Sequence, residues 1–306
     1  MQRSWLAAIL AGVGFGMWQV AARSRPIDLR GHVVIITGAS AGIGRAAARA
    51  FAAQGASVVL VARRAEVLAE VAAELTRDFA IHPETLLCVP ADVTCAADLP
   101  RIIADTLHHF GRIDVLVNNA GLSLGGPLES QAESALRRLI DVNVYGPLRL
   151  TQLALPVMLK QCSGHIVNVS SMMGVLEPPG ATTYTATRSA IRGFSRALRR
   201  ELAGTGVRVS TVFPGWVQTA MTDKLDHDKL RAANLLGPLI TIADPAKPAQ
   251  AIVDAVRFNR DETLMGGLQM IVGGRLVGLS SRLTDLYYRW FTDRTAALEA
   301  MRDLGA

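Results

Sequence analysis

The chain is poor in cysteine: Cys88, Cys95 and Cys162 are its only three, and no two share a CxxC spacing. That excludes a disulfide framework and a thiolate zinc site, and it suits a reducing compartment. Aromatic residues make up only 5%, too few to supply a platform for stacking nucleic-acid bases. Lysine is scarce as well, with Lys160, Lys224, Lys229 and Lys247 standing alone, so arginine carries nearly all of the positive charge behind the net +6. Those arginines are scattered rather than blocked together, which reads as a solvated basic surface and not as a nucleic-acid footprint. The histidine pair His108 and His109 has neither an HExxH pattern nor a carboxylate cluster beside it, so no metal site is expected. Charged residues are 19% against 50% hydrophobic, with a mean hydropathy of +0.27, which excludes a disordered chain.

Long apolar runs are confined to the amino terminus. Trp5 to Ala22 holds no charge and one strongly polar residue, Gln19, and would reach about 27 Å as a helix, enough for a marginal membrane span. Trp5 and Trp18 suit the two interfaces, and Arg23, Arg25 and Arg30 outnumber Arg3, which keeps the following domain on the cytoplasmic side. A cleaved secretory signal competes, with Val20-Ala21-Ala22 as its cleavage point. Gly12 and Gly16 form a GxxxG step that would let two such helices pair, so a homo-oligomer is left open.

From His32 onward, short apolar runs alternate with helical patterns, the signature of an α/β, doubly wound parallel sheet of Rossmann-like type. Strands are expected at 32–37, 57–62, 85–89, 115–118, 165–170 and 208–213, with a further one near 268–272. Helices are expected at 43–54, 66–78, 97–109, 134–160 and 184–204. The division follows as 1–28 for the membrane anchor and linker, 29–272 for a single domain, and 273–306 for a tail. In that tail Arg275, Arg282 and Arg289 interleave with apolar residues and aromatics, as in an amphipathic helix that lies at a membrane surface, covers the domain or forms a dimer contact.

The run Thr37-Gly38-Ala39-Ser40-Ala41-Gly42-Ile43-Gly44 follows a β-branched strand and opens an alanine-rich helix. Glycines there let the backbone approach a pyrophosphate, whose charge suits the free N–H groups of the helix. After the second strand, where an NAD-selective site carries an acid for the ribose hydroxyls, the chain has Arg63 and Arg64. Arginine can hold a 2′-phosphate through charge-assisted hydrogen bonds, so NADP(H) is the expected cofactor.

With Asn118-Asn119-Ala120-Gly121 the chain begins to resemble the short-chain dehydrogenase/reductase family, from about Leu29 to Thr222. The glycine turn of Gly38, Gly42 and Gly44 resembles the family's cofactor motif, and Asp92-Val93 its adenine contact. Asn119, Ala120 and Gly121 resemble the turn that stabilises the central strand. Asn143, Ser171 and Tyr184 match the family's catalytic asparagine, serine and tyrosine. Pro214-Gly215-Trp216-Val217-Gln218-Thr219 is similar to the segment that holds the nicotinamide carboxamide, through Val217 and Thr219. The resemblance implies hydride transfer between NADP(H) and a carbonyl or secondary alcohol carbon. Tyr184 would act as acid/base, Ser171 would hold the substrate oxygen, and Asn143 would bend its helix and support a water relay.

One position departs from the family pattern Tyr-x-x-x-Lys: the chain reads Tyr184-Thr-Ala-Thr-Arg188. Four residues along a helix keep both side chains on one face, so Arg188 can still reach the ribose and supply the fixed cation that a proton-exchanging phenol needs. It cannot itself release a proton. A catalytically impaired scaffold or sensor of the same fold is the competing reading. The apolar stretch Met221 to Ile242, with Leu225, Leu230, Leu235, Leu236, Leu239 and Ile240, suits a lipophilic alcohol or ketone substrate and equally suits ordinary helix packing.

Overall fold

The computed structural model describes residues 26–79, 81–222, 229–230, 242–267, 270–271, 282, 285–286, 288–289 and 292–302. The expected anchor, all but Met221, Thr222, Lys229, Leu230 and Ile242 of the leucine-rich stretch named above, and most of the amphipathic tail lie outside them. Among the described residues no helix is long and apolar enough to cross a membrane.

Seven strands form one parallel sheet: β1 (Val33–Thr37), β2 (Ser57–Ala62), β3 (Leu86–Pro90), β4 (Val115–Asn118), β5 (Gly164–Val169), β6 (Val207–Phe213) and β7 (Glu262–Leu264). Their spatial order is β3-β2-β1-β4-β5-β6-β7. The direction of winding reverses between β1 and β4, which pair in register from Val34–Val115 to Ile36–Val117. A crevice opens at such a switch point, beyond the carboxyl ends of the strands. Every residue of β1 and β4 is buried, as a strand covered on both faces requires, and this explains their unbroken apolar sequences.

Helices α1 (Gly42–Ala52), α2 (Ala65–Phe79) and α8 (Ala246–Arg257) cover one face, where Phe51, Leu68, Leu75 and Ile252 are fully enclosed. The other face carries α3 (Asp98–Phe110), α4 (Glu133–Ile140), α5 (Gly146–Lys160) and α7 (Thr182–Glu201), with Leu99, Ile102, Leu150 and Met158 inside. Removing an enclosed ring such as Phe51 would cost about 3–5 kcal/mol. A third core lies beyond the strand ends, where α6 (Met173–Leu176) and α9 (Arg294–Ala300) meet around Met172, Phe213, Trp216 and Met301.

Two expectations need correction. The final strand is Glu262–Leu264 rather than 268–272, and Met270 and Ile271 are helical. Its three residues are only partly buried, so this edge strand lacks the apolar run that marks the others, and Gly266, at φ 149°, ends it. The single helix expected over 134–160 is two helices joined by a π-turn at Asp141–Tyr145. Hydrophobic periodicity runs through such a turn and does not reveal it.

Candidate active site

The switch point is closed by a threonine. Thr37, at the end of β1, donates its hydroxyl to the Val117 carbonyl at 3.3 Å and accepts the N–H groups of Asn119 and Ala120 at 3.0 Å each. The Asn119 amide returns a hydrogen bond to the Thr37 carbonyl at 2.9 Å. Gly38 and Gly42 then adopt φ of 70° and 52°, conformations that favour glycine. Gly44 is required for a different reason: a Cβ there would collide with the Gly38 carbonyl and the Asn119 amide. Helix α1 begins with no side-chain cap and no acidic residue in its first turn, so its leading N–H groups face the cleft with the positive end of the helix dipole behind them.

Asp98 accepts the Asp92 N–H at 2.8 Å, and its carboxyl is held below the usual range by that bond and then by Arg101. Asp92 in turn accepts both the N–H and the hydroxyl of Thr94. Arg63 lies 3.9 Å from Asp92 and stays largely exposed, free to turn toward an anion. Arg64 is exposed beside it. Arg45, by contrast, is committed to Glu74.

Across the sheet, buried side chains register the helix that carries Tyr184. Asn118 donates to Thr151 at 3.0 Å and to Asn168 at 2.8 Å, and Asn168 donates to Ser195 on α7 at 2.8 Å. Ser170 donates to the Arg188 carbonyl at 2.9 Å. Gly174 on α6 sits so close to α7 that a Cβ would be 2.7 Å from that of Arg188.

Tyr184 and Arg188 end up as a buried pair, 7% and 5% exposed, with the guanidinium carbon 4.9 Å from the tyrosine ring centroid. One guanidinium nitrogen donates to the Val169 carbonyl at 3.2 Å, while Nε is buried without a partner. Another packs on Gly121, where any Cβ would displace it. The Ser171 hydroxyl accepts the Met173 N–H at 3.2 Å and spends its own proton on no other described residue. Asn143, fully buried on the π-turn, accepts the Leu122 N–H at 2.8 Å. It donates to the Leu122 carbonyl at 2.9 Å and to Thr187 at 3.1 Å. Both amide protons are used, so the side chain braces the loop after β4 against α7 and has no proton left to offer a water.

These elements enclose a cleft of about 270 Å³. Of the residues singled out from the sequence, Gly38, Ala41, Gly42, Ile43, Asn119, Ala120, Gly121, Ser171, Tyr184, Arg188, Pro214, Gly215, Val217 and Thr219 line it. Ser40, Gly44, Arg63, Arg64, Asp92, Val93 and Asn143 do not. Sequence reasoning missed Ser123, Met172, Met173 and Met270 on its walls; the one available signal was the Met172-Met173 pair directly after Ser171. Among the described residues no group of three or more His, Cys, Asp or Glu is placed to hold a metal ion.

The glycine cradle, the free helix end and the orphaned Arg188 Nε fit a nicotinamide dinucleotide, whose phosphates need close backbone donors and whose ribose offers hydroxyl oxygens. Comparison with known proteins agrees. Residues 32–230 match the family model described as short chain dehydrogenase. The 3-oxoacyl-(acyl-carrier-protein) reductase FabG of Thermotoga maritima is 35% identical over 225 residues, 74% of this chain and 90% of the relative. The L-sorbose reductase from Gluconobacter frateurii, solved with NADPH and L-sorbose, superposes with a TM-score of 0.70 at 26% identity, covering 79% of this chain and 98% of that one. A 3-ketoacyl-(acyl-carrier-protein) reductase from Brucella melitensis, solved with NADH, gives 0.69 at 28% identity over 77% and 96%.

Proposed function

The chain belongs to the short-chain dehydrogenase family, and from that premise we propose an NADP(H)-dependent oxidoreductase acting on the carbonyl or secondary alcohol carbon of a lipophilic substrate. The observation that carries this reading is the buried Tyr184–Arg188 stack opening, together with Ser171 and the glycine turn, into one cleft. When bound, the nicotinamide supplies or takes up the hydride.

The chain's own residues handle the oxygen. Ser171 donates its unspent proton to the substrate oxygen, fixing it beside Tyr184. The Tyr184 hydroxyl gives a proton to that oxygen during reduction and takes one during oxidation. Arg188 sets its positive charge 4.9 Å from the ring centroid, beside the group that exchanges the proton. Its orphaned Nε is a donor that a ribose hydroxyl would satisfy. Asn143 keeps Leu122 and Thr187 in place, and Thr187 in turn donates to the Tyr184 carbonyl at 2.8 Å.

Support for NADP(H) comes from Arg63 and Arg64 at the end of β2, with no carboxylate in the ribose-binding position. Support for a lipophilic substrate comes from the walls, which include Met172, Met173, Trp216, Met221 and Met270. Membrane attachment through Trp5 to Ala22, with the catalytic domain toward the cytoplasm, rests on the uncharged run and its flanking arginines. Recovery of the protein in the alkaline-extracted membrane fraction tests it; wholly soluble protein would remove the anchor.

The test of the activity follows NADPH consumption with long-chain ketones and aldehydes, comparing the wild type with Tyr184→Phe. The variant is expected to lose at least about a hundredfold in kcat, the scale of a general acid, while binding cofactor normally. Full activity in Tyr184→Phe would overturn the assignment. A second reading, a cofactor-binding scaffold with catalysis impaired, is favoured by one observation: arginine, at 188, stands where the family pattern has lysine. No turnover by the wild type or by Arg188→Lys on any carbonyl tried would establish it.

A further inference from the structure

The family match ends at residue 230, yet the chain folds back far beyond that point to pack beside the cleft. Helix α9 is only seven residues long, capped by Asp293, which accepts the Ala296 N–H at 3.1 Å. A helix so short does not persist alone in water; packing holds it. Ala297, Ala300 and Met301 are 0%, 1% and 0% exposed.

It rests on two loops, one after β4 and one between α6 and α7. At Gly180 (φ 81°) a Cβ would be 2.9 Å from that of Met301 and 3.1 Å from the Ala297 carbonyl. At Gly126 (φ 91°) a Cβ would be 3.2 Å from the Arg302 side chain. The loops are themselves joined, since the Gly126 N–H donates to the Gly180 carbonyl at 2.8 Å. Gln131 donates to the Gly126 carbonyl at 3.2 Å and accepts the hydroxyl of Thr183, the neighbour of Tyr184, at 2.8 Å. A second tether runs from the Tyr288 hydroxyl to the Leu176 carbonyl at 2.7 Å, at the end of α6.

Met301 does not line the cleft. It belongs to the apolar cluster of Met172, Trp216 and Met270, which do. Sharing a core with three wall residues while staying out of the cleft makes it a candidate for the layer behind the inner wall, where its volume would limit how far those side chains retreat. Methionine is unbranched and soft, so a wall of it yields to an apolar chain until the layer behind stops it.

We propose that α9 is the back wall of the substrate pocket and that Met301 sets the length of apolar chain the pocket admits. This rests on the reading that the substrate is a lipophilic carbonyl compound, and it adds a specificity-determining residue outside the span shared with the family. Met301 touches no reacting atom; it acts through Met172 and Met270.

The experiment uses the full chain and a series of straight-chain 2-alkanones of increasing length with NADPH. In Met301→Ala the ratio of kcat/KM for the longest over the shortest substrate should rise on the order of tenfold, the scale of methylene discrimination in an apolar pocket, with the change appearing in KM of the long members. Met301→Leu, which refills most of the volume, should bring the ratio back toward the wild-type value. Tyr288→Phe removes one tether without opening the core and should shift the ratio the same way by a smaller factor, which keeps the test open if Met301→Ala fails to fold. A uniform change across the series, or an unchanged ratio in both Met301→Ala and Tyr288→Phe, overturns the proposal alone. A wild type that reduces no member of the series overturns the lipophilic-carbonyl reading, and this inference with it.

Discussion

The two halves of the cleft are made of different materials. On the cofactor side the walls are backbone: glycines at positive φ, a threonine closing two strand ends, and a helix end with free N–H groups. On the substrate side they are side chains: methionines and a tryptophan backed by a helix from the end of the chain. Backbone walls tolerate almost no change because a Cβ has nowhere to go, whereas a methionine wall can be reshaped by one methyl group at a time. Binding of the shared cofactor is thereby rigid, and choice of substrate is adjustable.

The largest expected effect that would test this contrast is Gly44→Ala. The added methyl must push α1 off the Gly38 turn, a strain of about 1–3 kcal/mol that should weaken dinucleotide binding by roughly ten- to a hundredfold. Isothermal titration checks it, and an unaltered Kd would mean the cradle is softer than its geometry implies. Next comes Arg63→Asp, which puts a carboxylate where the 2′-phosphate is proposed to lie. It should lower kcat/KM for NADPH over NADH by about tenfold or more, and an unchanged ratio would reassign cofactor choice to other residues. Arg188→Lys is expected to raise kcat by only about two- to fivefold, by restoring a side chain that can pass protons; stopped-flow single turnovers separate that gain from any change in product release.

The smallest effect is one of stability, at the far end of the sheet. His165 is buried with Nε2 2.7 Å from the Ser210 oxygen, and Ser210 gives its own proton to the Arg260 carbonyl at 2.6 Å. The ring is therefore the neutral Nε2–H form, and Nδ1 has no partner. Burial first, then the charges of Arg208 and Arg199, pushes its pKa down to about 3. Unfolded histidine titrates near 6.5, so the contribution is complete above that value and is lost as the pH falls from about 6.5 toward 3. Between pH 7 and 5 the wild type should lose about 2 kcal/mol in urea unfolding from this residue, and His165→Asn should lose correspondingly less. Because the residue lies outside both halves of the cleft, KM for either ligand should stay put.

The same contrast explains what was legible in the sequence. The turn from Thr37 to Gly44 and the segment Asn118 to Gly121 could be read because their conformations and buried hydrogen bonds demand particular residues. The parallel sheet was readable from its doubly buried apolar strands. The edge strand at Glu262–Leu264 escaped because three half-buried residues make no pattern. Met301, Tyr288 and the paired glycines Gly126 and Gly180 escaped because their meaning lies in contacts between segments far apart along the chain. Arg63 was visible, but its 3.9 Å approach to Asp92 arises only when β2 and β3 lie side by side.

The π-turn at Asp141–Tyr145 holds one residue more than a regular helix would. Deleting one residue there would straighten the rod and repair its hydrogen bonding, and the side chains past the cut would keep their facing, yet those of the turn itself, Asn143 among them, would be drawn out of position. Local regularity and a working site are thus set against each other at this spot. A more perfect helix would be bought by uncoupling Asn143 from Leu122 and Thr187 together.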